Sequence, residues 1–217
     1  MDVLVAVPGA YPHPLPSHIK TTSFVHATNT PLLAKLSNMK NKTSTDKPVL
    51  TVKHANNSHI DLIRTLCFQV WPQTYASILT PAQIDYMLDM MYSPASLQKQ
   101  LADGADYMIC YDGDEPAGFA SLEGGEGGKF KLSKLYVLPN QQGKGTGRFL
   151  IDYIANIATQ RGGSVLQLQV NKQNAAQHFY KKLGFIVAKE AVFEIGNGFV
   201  MDDYIMELAL PAQNVLR

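Results

Sequence analysis

Residues 135 to 148 read Leu135-Tyr136-Val137-Leu138-Pro139-Asn140-Gln141-Gln142-Gly143-Lys144-Gly145-Thr146-Gly147-Arg148. An apolar strand runs into a glycine-rich turn, and the turn runs straight into an amphipathic helix. The first turn of a helix holds amides without intrahelical partners, and the helix dipole favours an anion there. The stretch is therefore a candidate cradle for a pyrophosphate. Two familiar phosphate loops fail on spacing. A P-loop requires Lys then Ser or Thr after its last glycine, but Gly147 is followed by Arg148-Phe149. A dinucleotide fingerprint requires G-x-G-x-x-G; its third glycine would fall on Arg148 or Leu150. The plain alternative is a loose turn that tolerates glycine. Glycine in a first turn costs about 1 kcal/mol relative to alanine. Gly145 and Gly147 would both bear that cost, which favours a steric reason such as a ligand passing close to the backbone.

A second block lies downstream. Leu166-Gln167-Leu168-Gln169-Val170-Asn171 alternates as a strand, and Asn174-Ala175-Ala176-Gln177-His178-Phe179-Tyr180-Lys181-Lys182-Leu183-Gly184-Phe185 follows as a helix. Bland readings exist for each residue. Asn174 serves as a helix N-cap with Gln177 as a box-like partner. Tyr180 serves as core with Ala176, Phe179 and Leu183, and Lys181-Lys182 before Gly184 is an ordinary helix end. The two blocks together, Gln142-x-x-Gly145-x-Gly147 and then V-N-x-x-N-x-A-x-x-F-Y-x-K-x-G-F with every position filled, resemble the GNAT N-acetyltransferases.

That resemblance implies acetyl-CoA as cosubstrate, with its pyrophosphate on Gln142, Gly143, Lys144, Gly145, Thr146, Gly147 and Arg148. It implies Asn174 on the pantetheine arm and Tyr180 beside the sulfur. It also implies a splayed strand, with the amides of Leu135 and Val137, flanking Tyr136, free for the acetyl carbonyl. Lys144, Arg148 and Lys172 are further candidates for the phosphates, or plain solvated cations. The implied reaction is attack of a neutral amine on a thioester. An alkyl amine with pKa near 10.4 is neutral in about one molecule in two thousand at pH 7, so a base must take its proton. Many family members carry a glutamate for this on the strand before the cradle. Here the outward positions of that strand hold Lys131, Ser133 and Lys134. Glu123, Asp202 and Asp203 are the substitutes considered, each with solvated surface charge as its plain reading. The leaving thiolate needs a proton, and Tyr180 is the candidate catalytic residue.

Around these blocks the chain alternates strands and helices from Val49 onward. Strands are expected at 49–54, 107–111, 118–123, 129–138, 164–170, 185–195 and 199–210. Helices are expected from Ile60 to Trp71-Pro72, from Pro81 after Thr80, from Pro94 after Ser93 toward Leu101, from the cradle to Arg161-Gly162-Gly163, and over 174–183. The resemblance then implies an α/β (α+β) GNAT fold: a mixed, mostly antiparallel central sheet of about seven strands flanked by helices. Trp71 to Tyr75, Tyr86 to Leu88 and Met91 to Ser93 fill the family's variable acceptor region. With the tail from Ile195 to Glu207, they look like a bacterial group that includes PaiA-like polyamine acetyltransferases. The expected acceptor is a primary amine of a small molecule, polyamine-like, or of a protein. An idle acyl-CoA binding module is the other reading.

Residues 1–48 differ in composition. They hold six of the twelve prolines and five lysines against Asp2 and Asp46, for a charge of +3. We read them as a disordered or artefactual extension, with Met39 as the natural start, ahead of a single domain over 49–217. The remainder carries 14 basic and 16 acidic residues, a charge of −2, which disfavours nucleic acid. No 18-residue apolar run suggests a membrane span. Cys67 and Cys110 are the two cysteines, and both sit in apolar periodic segments. They read as reduced core residues of a cytoplasmic protein, with no metal site. A homodimer is one option for assembly.

Overall fold

The computed structural model describes residues 49–212. The expectations for residues 1–48 and for the last five positions lie outside them. Seven strands form one sheet: β1 (Leu50–His54), β2 (Asp106–Asp112), β3 (Glu115–Gly124), β4 (Lys129–Val137), β5 (Val165–Asn171), β6 (Ile186–Gly196) and β7 (Phe199–Ala209). Their order is β1-β2-β3-β4-β5-β7-β6. Neighbours run antiparallel except β4 and β5, which are parallel. Among the described residues five α-helices cover the sheet: α1 (Ile60–Tyr75), α2 (Pro81–Tyr92), α3 (Pro94–Ala102), α4 (Thr146–Gln160) and α5 (Ala176–Lys182). No helix among the described residues is long and apolar enough to cross a membrane.

Each face of the sheet has its own core. One face packs Leu132, Leu135 and Val137 of β4 and Leu166 and Leu168 of β5 against Leu150, Ile151 and Ile154 of α4 and Tyr180 of α5. The other packs Tyr107, Ile109, Phe119 and Tyr136 beneath Ile63, Cys67, Trp71 and Tyr75 of α1, Met87 and Tyr92 of α2, and Leu97 of α3. The alternation of the strands supplies both faces, and the helical spacing of apolar residues supplies their covers. Local signals set several boundaries. The Thr80 side chain accepts the Gln83 amide, with Pro81 in the first turn, and Ser93 caps Ser96 with Pro94 likewise placed. Cys67 and Cys110 are free and buried.

One expected boundary is wrong. Pro72 does not end α1, which continues to Tyr75. Proline in a helix interior removes one amide donor and costs about 3 kcal/mol. The carbonyl that loses its donor belongs to Phe68, on the exposed side of the helix. Continuing the helix buries Trp71 and Tyr75 completely. Burying an aromatic side chain returns about 4–6 kcal/mol at 25 cal/mol/Å², so packing outweighs the local penalty.

A second feature shapes the centre of the sheet. The β3–β4 register passes from Leu122 opposite Leu132 to Ser121 opposite Lys134, so Ser133 is an extra residue in β4. The bulge exchanges the faces on either side of it. Lys131 and Lys134 therefore share the α1 side of the sheet with Tyr136.

Candidate active site

Pairing between β4 and β5 covers only Lys129 with Val165, Phe130 with Leu166 and Lys131 with Gln167. Beyond that point β4 bulges at Ser133 and keeps its ladder with β3 alone. The result is a wedge in the middle of the sheet. The Leu138 amide donates to Ala117 on β3 at 2.9 Å. Alternation along the strand then turns the main-chain groups of Val137 and Leu135 toward the wedge. The Gln142 side chain confirms the direction, because its Nε2 donates to the Val137 carbonyl from that side at 3.1 Å.

The glycine turn closes one end of the wedge. A short 3-10 turn over Pro139–Gln141 leads to Gln142, and α4 begins at Thr146. Gly143 and Gly145 adopt φ of +73° and +90°, which L side chains rarely take. A Cβ at either would meet nothing within 4 Å. The turn conformation thus requires these two glycines, and the space above them is open. Gly145 caps α4 instead of lying in its first turn, so the first-turn cost expected for it does not arise. Gly147 alone lies in the helix, buried. None of the amides from Gly143 to Arg148 donates to another group among the described residues. The Thr146 hydroxyl is buried without a partner. Val137, Gln142, Gly143, Gly145, Gly147, Arg148 and Phe179 line a cleft of about 110 Å³ at this place. Lys144 and Arg148 are exposed beside it, and Arg148 Nε lies 3.5 Å from Asp152.

Two side chains from the second block are buried and incompletely bonded. The Asn174 Oδ1 accepts the Ala176 amide at 2.9 Å, as a turn-forming Asn does, but its Nδ2 has no partner. The box with Gln177 does not form, because Gln177 Nε2 donates to the Lys172 carbonyl. Tyr180 is fully buried between Phe179 and Phe185, and its hydroxyl has no partner. Burial alone pushes that phenol upward, so it is an O–H at neutral pH.

Across the wedge, on the α1 side, lies a polar group that the sequence did not mark as a unit. Tyr75 is fully buried with its hydroxyl unpartnered. Its phenol is raised by burial and then by Tyr136, Asp203 and Tyr180, so all three lie within electrostatic reach of it. Asp203, 1% exposed, keeps Oδ1 without a partner. Burial pushes its carboxyl up to about 7, Asp202 adds to the rise, and Lys131 and Lys172 oppose it. Lys131 Nζ donates to Gln169 Oε1 at 2.8 Å, and burial lowers it to about 8 against the pull of Glu123 and Asp203. Glu123 stands opposite Lys131 on β3 and is half-buried. The signal available in the sequence for Asp203 was its alternation with Met201 and Ile205 on a buried face. For Tyr75 it was one helical turn of spacing from Trp71 through Pro72.

Two expected positions are corrected, and the side chain of Tyr136 is located. Lys134 is not outward. Its Nζ is buried over the rings of Tyr92 and Tyr107 and donates to Gln100 Oε1 at 2.7 Å. Lys172 does not face the glycine turn; it pairs with Glu190 at 2.8 Å and Asp202 at 2.7 Å, which keep it charged. Asp202 is thereby engaged on the surface. The Tyr136 side chain points away from the turn and accepts the Tyr92 hydroxyl at 2.9 Å, stacked on Phe119. No group of His, Cys, Asp and Glu among the described residues could hold a metal ion.

Comparison with known proteins gives a consistent picture. Residues 75–208 match the acetyltransferase (GNAT) domain family. An uncharacterised N-acetyltransferase of Mycobacterium tuberculosis is 29% identical over 149 residues, covering 67% of this chain and 94% of that protein. The PaiA N-acetyltransferase of Thermoplasma acidophilum, solved in complex with coenzyme A, superposes with a TM-score of 0.62 at 23% identity, covering 74% of this chain and 98% of that one. An acetyltransferase of Salmonella typhimurium, solved with acetyl-CoA, superposes with a TM-score of 0.54 at 24% identity over 75% of this chain and 94% of its own.

Proposed function

The chain belongs to the GNAT acetyltransferase family, and we propose that it moves an acetyl group from acetyl-CoA to a primary amine of a small, polyamine-like molecule or of a protein. The observation that carries this reading is the continuity of three unsatisfied groups. The amides over 143–148, the free edge of β4 and the Tyr180 hydroxyl all lack partners among the described residues, and Tyr180 follows Phe179, which lines the cleft beside the turn. The donor set suits a diphosphate, because these amides are neutral donors at a helix start. The relatives from Thermoplasma and Salmonella were solved with coenzyme A and acetyl-CoA, which supports the choice of cosubstrate.

In this reading Gln142 fixes the turn, and the amides of Gly143, Lys144, Gly145, Thr146, Gly147 and Arg148 hold the diphosphate. The Asn174 Nδ2 meets the amide-bearing arm. The Leu135 and Val137 amides, with Tyr136 between them, polarise the acyl carbonyl. Tyr180 holds the proton that the departing sulfur needs. Acetyl-CoA supplies an activated thioester; the chain supplies donors, alignment and exclusion of water. Buried carboxyl groups on the α1 side favour a cationic acceptor.

A panel of polyamines, amino-sugar amines, lysine peptides and peptide N-termini, read by release of free thiol from acetyl-CoA, tests the proposal. Turnover above hydrolysis with at least one amine is expected. Binding of acetyl-CoA without transfer to any acceptor would instead leave a thioester-binding module.

A further inference from the structure

The family's usual strand base is missing, yet the fold buries one carboxylate that stability does not explain. Asp203 sits on β7 opposite Asn171 of β5, beside the open end of the wedge. It is 1% exposed, and its Oδ1 has no partner among the described residues. A carboxylate buried in this way normally finds an Arg or Lys fork, or is replaced by an apolar residue. Its two rivals are otherwise placed. Asp202 is bound to Lys172 at 2.7 Å on the surface, and Glu123 lies half-exposed across from Lys131.

We infer that Asp203 is the base that takes the proton of the acceptor ammonium, and that Lys131 is the positioning residue that keeps this carboxylate in its basic form. The inference rests on the acetyl transfer proposed above and adds its missing proton acceptor. The acceptor ammonium gives one proton to Asp203. The freed lone pair forms the N–C bond to the thioester carbonyl carbon. The C–S bond breaks, and sulfur leaves with its electron pair. Sulfur takes the Tyr180 proton, and the Tyr180 oxygen regains a proton from the nitrogen, which leaves a neutral amide. Asp203 then returns its proton to water. Tyr75 is in electrostatic reach of both the base and the acid.

The groups that set the charge of Asp203 come from every element around it. Lys131 on β4 and Lys172 after β5 lower its proton affinity; Asp202 and burial raise it. Tyr75 on α1 remains a neutral O–H in this pH range. With the base in place, kcat/KM for the acceptor should rise through pH about 7. It should fall again near the ammonium pKa of about 10.

The test is the pH profile of the full chain with an alkyl diamine and acetyl-CoA. In Asp203→Asn the limb near pH 7 should vanish, rate at pH 7 should drop roughly 100-fold or more, and activity should return toward pH 10. In Lys131→Met the same limb should move to higher pH. Affinity for acetyl-CoA, by calorimetry, should stay within about threefold in both variants. Asp203→Glu should restore part of the limb, which separates a lost base from a damaged fold. A limb that survives in Asp203→Asn, or that Glu123→Gln removes instead, overturns the inference. Loss of acetyl-CoA affinity in wild-type protein would strike the transfer reading itself, a separate result.

Discussion

Tyr75, Tyr180 and Asp203 each bury an oxygen that finds no hydrogen-bond partner, and such oxygens cost about 1–3 kcal/mol apiece. Asp203 makes the cost measurable. Its folded pKa of about 7 lies above the value near 3.9 of an unfolded chain. Between those two values the native state holds a proton that the unfolded state has lost. Stability therefore falls as pH rises from about 4 to about 7, and it stays reduced above. Asp203→Asn fixes the neutral form, so it should be more stable than wild type at pH 8 by about 2–4 kcal/mol and nearly equal at pH 4. Denaturant melts at the two pH values check this; equal stability at pH 8 would mean the carboxylate is better solvated than its burial implies. Tyr180→Phe removes one oxygen and leaves the ring packing intact. Turnover should fall more than tenfold with acetyl-CoA affinity almost unchanged, as separate rate and calorimetric measurements would show. Tyr180 and Asn174 stood out in the sequence because their block is continuous, and the structure buries both with one polar atom unpartnered. Lys134 was misread because charge alone does not tell a buried ring-stacked lysine from a solvated one, whereas Lys172 is the paired surface cation that its plain reading allowed.

Elements add what single residues cannot. The turn from Gln142 to α4 is set by local rules, and the sequence showed it clearly. Gly145→Glu would put a carboxylate where an anion belongs and force a side chain into φ of +90°. Calorimetry should find acetyl-CoA binding lost by 100-fold or more; unchanged binding would refute the cradle. The path of α1 was not legible. The rule that proline stops a helix is local, whereas the burial of Trp71 and Tyr75 that overrides it is tertiary. Pro72→Ala restores a donor for the Phe68 carbonyl. It should raise the melting temperature by several degrees, from a gain of about 1–3 kcal/mol. The bulge at Ser133 was equally hidden. One extra residue leaves composition and strand propensity untouched, yet it decides that Lys131 and Lys134 face α1.

At the scale of the molecule, the sheet is a partition with one opening. The α4 and α5 side brings the glycine turn, Asn174 and Tyr180; the α1 side brings Tyr75, Lys131 and Asp203. In the proposed transfer the two sets act on one bond, across the gap where β4 and β5 part beyond Lys131. The sequence of elements along the chain was readable from periodicity, and the seven-stranded mixed sheet agrees with what the family resemblance implied. The opening was not readable from periodicity, since it depends on how far a parallel pairing continues; only the family resemblance implied it, as a splayed strand. A crystal structure of the full chain grown with excess coenzyme A tests this account most directly. It should show diphosphate oxygens within hydrogen-bond distance of main-chain amides between Gly143 and Arg148, and the thiol lying in the wedge against the Tyr180 hydroxyl. Coenzyme A bound elsewhere, or a wedge closed by side chains with the ligand excluded, would contradict it.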